Sequence, residues 1–200
     1  MIRSRTDRAL LVALALAAAS GAARAFELGE LMRLLGANRG GSATYDEQRY
    51  VQGLDAPLHS SGTLSYTAPD RFTRHMEQPR AETVSVAGNT LTLTKNGKTR
   101  NVALDSVPEM GAIVAAMRGT LSGDAGALER WFRPQVEGSA ERWSLVLVPS
   151  EERIAARVAT ILIGGRHGEV RRVEVRLADG DRSVMEIEPL AAAKRASVAR

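Results

Sequence analysis

Three histidines, His59, His75 and His167, are the side chains in this chain best suited to binding a metal or moving a proton near neutral pH, and no cysteine is present to join them. None stands four residues from another, so the helical metal-ligand spacing is absent. No Gly-x-Ser-x-Gly elbow, P-loop or Gly-x-Gly-x-x-Gly turn occurs, which leaves hydrolase, nucleotide and dinucleotide chemistry without support. Carboxylates do pair in sequence, as Asp46 with Glu47 and Glu151 with Glu152. Neighbours on a strand point to opposite faces, so these read as solvated charges and not as a general acid facing a base. No catalytic residue, cofactor or metal follows, and an enzyme is not expected.

What the chain does carry is an apolar series. Leu64, Tyr66, Phe72, Met76, Val84, Val86, Leu91 and Leu93 recur at strand spacing, and Met110, Ile113, Val114 and Met117 recur at helix spacing. Two readings of that series stand side by side. It is a filled core, or part of it is a pocket wall for a hydrocarbon chain. The composition is 44% hydrophobic but only 4% aromatic, and methionine adapts to irregular shapes, which suits a chain-like ligand as well as a core gap. Burying one CH₂ is worth about 0.8 kcal/mol, so a chain of about sixteen carbons gains on the order of 10 kcal/mol. Release then requires a competing apolar acceptor.

The elements that position these residues begin after residue 25. Arg3, Arg5 and Arg8 make a basic start, an apolar run covers Ala9 to Ala19, and Ala23-Arg24-Ala25 offers small residues to a signal peptidase, which predicts cleavage before Phe26 and export. The run is about half the ~20 residues a membrane-spanning helix needs. Residues 1–25 hold four Arg and one Asp, so the remainder carries 23 basic and 22 acidic residues, and the formal charge of +4 falls to +1. That near-balance removes the basic footprint a nucleic-acid binder needs. The absence of cysteine also removes the residue by which a bacterial exported protein is lipid-anchored. Residues 190–200 are Ala-rich and basic and are expected to be a disordered tail.

Between these ends the pattern predicts an amphipathic helix over Phe26 to Asn38, then a strand meander from Ala43 to Leu104. Pro69-Asp70, Gly88-Asn89 and Asn96-Gly97 mark its turns. Helical spacing returns from Ser106 to Leu121, with Pro108 suited to the first turn, and a short helix over Asp124 to Trp131 starts from Asp124 as cap. Strands follow at 132–136, 143–148, 160–163, 170–177 and 184–187, while Glu151 to Arg157 fits either a helical turn or a strand start. The expected fold is mainly β with helices: an incomplete antiparallel β-barrel of about 10–11 strands, covered by the N-terminal helix and the helical insertion. Eight scattered aromatics and short strands do not make an outer-membrane barrel with its aromatic girdles.

At this level the residues resemble a known family. The Phe26 to Asn38 helix, Tyr45-x-x-Gln48, Gly62-x-Leu64 leading into Pro69-Asp70-Arg71-Phe72, Gln78-Pro79, Gly88-Asn89-Thr90-Leu91 and Asp179-Gly180-Asp181-Arg182-Ser183 are similar to the outer-membrane lipoprotein carrier LolA family. The resemblance spans 26–189 in order of elements and implies a periplasmic half-barrel carrier that shields acyl chains between the inner and outer membranes. It also implies an inner-membrane donor protein, an outer-membrane acceptor protein and a monomeric carrier. Two departures mark a divergent branch. Ala68 stands where the family has an Arg that locks the helical lid, and Arg74 stands where an aromatic is expected. Arg74 is then either a cation at the cavity mouth, suited to an anionic headgroup, or a surface residue. The alternative function is a sensory or scaffolding domain of the same fold that binds a protein partner.

Overall fold

The computed structural model describes residues 26–190, so the signal-peptide reading of 1–25 and the tail reading, Leu190 apart, lie outside the described residues. Eleven strands form one antiparallel sheet: β1 (Gly40–Tyr50), β2 (Leu58–Thr67), β3 (Arg71–Gln78), β4 (Glu82–Ala87), β5 (Thr90–Lys95), β6 (Lys98–Ala103), β7 (Phe132–Ser139), β8 (Arg142–Pro149), β9 (Val158–Arg166), β10 (Glu169–Leu177) and β11 (Arg182–Pro189). Their order is β6-β5-β4-β3-β2-β1-β11-β10-β9-β8-β7. The chain meanders outward from β1 to β6, crosses through the helices to the far edge, and meanders back to β11. There β11 pairs with β1 from Ala43↔Pro189 to Tyr50↔Arg182. The sheet is open, with β6 and β7 as its two edges, and no barrel closes.

The turns form where their residues dictate. Asn96 and Gly97 join β5 to β6 with φ of 53° and 71°, the paired left-handed geometry that matches strand twist in a two-residue hairpin. The helices are α1 (Leu28–Gly36), α2 (Pro108–Ser122), α3 (Ala125–Glu129) and α4 (Glu152–Ala155), so the ambiguous segment after β8 resolves as a single helical turn. Pro108 sits in the first turn of α2, where a missing N–H leaves no bond unmade. Gly123 ends α2 in the left-handed conformation, φ 71°, and a β-carbon there would meet the Met32 carbonyl at 2.3 Å, so this glycine also lets α1 and α2 cross closely. Asp124 caps α3 by accepting from the Ala127 N–H at 2.9 Å.

All helices lie on one face of the sheet, and they are not spread evenly over it. α1 and α3 lie against β7, α4 against β8 and β9, and α2 against β9. Beneath them sits the main core: Leu31 and Leu35 of α1, Ala112 and Ala116 of α2, Leu128, Phe132, Leu145, Leu147, Ile161 and Ile163, all at most 1% exposed. A second, smaller cluster lies on the same face at the other end, where Val86, Leu91, Leu104 and Val114 are joined by the half-buried Phe72, Val84, Leu93 and Val102. The opposite face mixes charged side chains with aliphatic ones such as Val146, Leu162 and Val184. There Glu174 accepts hydrogen bonds from Arg176 Nε at 2.8 Å and Arg172 Nη2 at 3.2 Å. Burial pushes the Glu174 carboxyl up, but those bonds, with the charges of Arg176 and Arg182, outweigh it and hold the group below its ordinary value.

Two predictions follow from this uneven packing. Ile163→Ala opens a cavity in a sealed core and is expected to cost about 2–5 kcal/mol, whereas Leu93→Ala, on a half-open wall, is expected to cost about 1 kcal/mol or less; urea unfolding of both checks the contrast. Because Glu174 is ionised more easily folded than unfolded, its stabilisation is present above the ordinary carboxylate range and is lost as pH falls through its lower folded value. Glu174→Gln therefore flattens the acid limb of a stability-against-pH curve without reshaping it near neutrality.

Candidate functional site

The pairing register places the apolar series on the helix-bearing face in successive cross-strand rows. Tyr66, Phe72, Val86 and Leu91 stand opposite one another across β2 to β5, and Leu64, Arg74, Val84 and Leu93 form the next row. Met76 lies one step further along β3, opposite Gly62 and Glu82. Tyr66 stacks on Phe72 with ring centroids 5.1 Å apart, and its hydroxyl donates to the Pro69 carbonyl at 3.3 Å. Burial pushes the Tyr66 phenol up, Asp70 adds to the effect and Arg39 opposes it.

Helix α2 divides these residues between the two clusters. Ile113 and Met117 pack with the main core, as does Leu64, while Val114 points to the smaller cluster and Met110 is 38% exposed. The face between α2 and β2–β6 is therefore partly filled and partly open: Leu64, Phe72, Val84 and Leu93 keep solvent-accessible surface, while their counterparts on β8 and β9 keep almost none. Two depressions, of about 290 and about 190 Å³, lie elsewhere. His75, Thr83 and Thr94 line the first, and Gln48, Tyr50, Arg172 and Arg182 line the second. None of the thirteen apolar-series and Arg74 positions borders either one.

Arg74 sits inside this face and not on the solvent side. Its guanidinium pairs with the Glu47 carboxylate, donates from Nε to the Tyr45 hydroxyl at 3.0 Å and from Nη2 to Ser60 Oγ at 3.0 Å, and lies 4.8 Å over the Tyr45 ring. Ser60 Oγ and Ser183 Oγ both donate to Glu47. Glu47, read from sequence as a solvated charge, is turned inward with a side chain 14% exposed, because its neighbour Asp46 takes the outer position on β1. Sequence reasoning did not bring Tyr45, Glu47, Ser60 and Ser183 together: Tyr45 and Ser183 entered only within family motifs, Glu47 as a solvated charge, and Ser60 not at all. The period-two pattern carried part of the signal, since Ser60 and Gly62 extend the series Leu64–Tyr66 backward along β2. Ser183 had none, because only the β1–β11 pairing brings it near.

Where Ala68 replaces the family's expected Arg, a different contact ties the helix down. Arg118 Nη2 of α2 donates to the Gly88 carbonyl in the β4–β5 turn at 2.8 Å. Gly88 N–H in turn donates to Asp70 Oδ2 at 3.1 Å, so one turn is held from both sides. Among the described residues, no three His, Asp or Glu gather as metal donors, and no helix is long and apolar enough to cross a membrane.

An open antiparallel sheet with its helices gathered on one face, and a half-covered apolar wall beside them, defines a LolA-type binding fold. Residues 18–199 match the family model described as outer membrane lipoprotein carrier protein LolA-like, and the chain belongs to that family. No curated protein matches it in sequence. Similar solved structures include a LolA superfamily protein from Nitrosomonas europaea, at 8% identity over 82% of this chain and 92% of that one, TM-score 0.42. LprF from Mycobacterium bovis is 9% identical over 80% and 91%, TM-score 0.35. A chain of the Pseudomonas aeruginosa MucA/MucB complex is 12% identical over 82% of this chain and 58% of that one, TM-score 0.44.

Replacing Arg118 with Met removes the one side-chain hydrogen bond that, among the described residues, joins α2 to the β3–β6 half. The variant is expected to stay folded, losing about 0.5–1.5 kcal/mol. Faster amide exchange should be confined to α2 and the Gly88 turn.

Proposed function

We propose that the chain is a periplasmic carrier that takes acyl chains of a lipoprotein or another lipid between α2 and strands β2–β6, and passes them on toward the outer membrane. One observation carries this reading: the same sheet face is sealed at β8–β9 and left half-covered at β3–β5, although both stretches are lined with aliphatic side chains. Apolar surface left accessible in this way is favourably covered by another apolar body. The wall is made largely of leucine, valine, methionine and Phe72, and α2 meets the β2–β6 half through Val114 and the Arg118–Gly88 bond while Ala112 and Ala116 anchor it in the main core. Membership of the LolA-like family supports a carrier and not a catalyst. Handing the cargo over requires a donor and an acceptor that each offer a competing apolar surface.

The test is direct. Protein purified from a periplasmic fraction should release acyl lipid on organic extraction, and the emptied protein should take up a fluorescent fatty acid. Leu93→Asp and Phe72→Asp are expected to lower that uptake at least about tenfold while the thermal midpoint falls by only a few degrees. Leu145→Asp, in the sealed half, is expected to unfold the protein. If Leu93→Asp and Phe72→Asp unfold it equally, the wall is core. If the protein carries no lipid but captures one protein partner, the scaffolding reading replaces the carrier.

A further inference from the structure

We propose that the Arg74–Glu47 cluster is a recognition site for the uncharged, carbonyl-bearing end of the cargo, so that the carrier selects acyl esters or amides with a neutral polar junction over lipids with an anionic headgroup. The inference rests on the carrier reading and names the chemistry at one end of the same site.

The cluster is placed where a polar junction would lie. Arg74 shares a row with Leu64, Val84 and Leu93, so its stem rises from the apolar wall itself. Its head reaches toward β1, where Glu47 and Tyr45 wait, with Ser60 of β2 and Ser183 of β11 closing the group. On this face Glu47 stands between Ser60 and Met185, the next position along β1 is Arg49, flanked by Ser183 and Leu58, and Met76 follows Arg74 along β3. The wall is thus apolar from Val86 to Leu64, and the Arg74–Glu47 group forms a polar island at its β1–β3 side, with Met76 next along β3.

Charge then decides what that polar end accepts. Glu47 neutralises Arg74, and three hydroxyls surround the pair, so the cluster presents hydrogen-bonding groups without net charge. An anionic headgroup brought against it would meet the Glu47 carboxylate beside the guanidinium, and the two interactions oppose each other. A neutral carbonyl meets no such opposition. Arg74 supplies the donor: the guanidinium carries five N–H groups, the bonds to Glu47, Tyr45 and Ser60 use Nε and Nη2, and Nη1 makes no hydrogen bond among the described residues. The side chain is 29% exposed, which leaves it within reach from the open part of the wall.

The experiment is competition against Nile red, an uncharged dye, with two lipids of identical chains: dioctanoylglycerol, whose junction is neutral, and dioctanoyl phosphatidic acid. The wild-type chain is expected to release the dye at an about tenfold lower concentration of dioctanoylglycerol. Glu47→Gln leaves Arg74 uncompensated and is expected to reverse the preference toward phosphatidic acid, a change that a merely structural pair would not produce. Arg74→Met combined with Glu47→Leu is expected to bind the dye as before and to treat the two lipids alike. Equal or opposite selection by the wild-type chain, or a preference untouched by Glu47→Gln, overturns the proposal while leaving the carrier standing. Failure of Nile red and both lipids to bind the wild-type chain overturns the carrier reading and this one with it. The wild-type comparison needs no variant, so it decides even if the double variant does not fold. A blocked diacylglyceryl-cysteine peptide added as a third competitor tells lipidated polypeptide from free glycerolipid, whichever releases the dye at the lower concentration.

Discussion

Coverage is the constraint on which this structure turns. One face of an eleven-stranded sheet must be shielded from water, and the helices available are of nine, fifteen, five and four residues. At about 1.5 Å per residue the longest of them spans roughly 22 Å, far less than the sheet is wide at about 4.8 Å per strand. The helices therefore concentrate on β7–β9, where they bury Leu145, Leu147, Ile161 and Ile163 completely, and the remaining strands keep a wall that nothing among the described residues fully closes. Stability and accessibility are allotted to different halves of one sheet.

Within the open half, polarity is handled by pairing. A guanidinium placed among Leu64, Val84 and Leu93 would be costly alone, since burying an uncompensated charge is unfavourable. Glu47 and the hydroxyls of Tyr45, Ser60 and Ser183 satisfy it, and they come from β1, β2 and β11. The arrangement also fastens the middle of the sheet, because four strands share one hydrogen-bonded group. Tying and recognising are compatible roles for such a cluster.

Much of the fold was legible in the sequence. Period-two spacing marked the strands, and Asn96-Gly97, Gly88-Asn89 and Pro69-Asp70 fall between strands as their turn chemistry requires. Pro108, Gly123 and Asp124 punctuate the helices in the expected places. What was not legible is long-range. Whether an apolar residue is sealed or half-open depends on where the helices land, and Val84 looks no different from Leu145 in a local window. Arg74 shows the same limit. Its side chain sits on the inward face by alternation, yet its partner Glu47 lies on a strand two places away, and a local reading of Asp46-Glu47 gave only opposite faces.

The seam between β1 and β11 also orders events in time. Every other strand pairs with a neighbour in sequence, but Ala43 must find Pro189 and Tyr45 must find Ile187. During vectorial synthesis the β1–β6 meander can form early, with the inner edge of β1 unmatched until β11 emerges. Helix α1 waits as well, since Leu31 and Leu35 pack into a core built largely by β7–β9. A chain truncated before Arg182 would thus carry an unpaired central strand, and the eight-residue β11 is the keystone that joins the two meanders into one sheet.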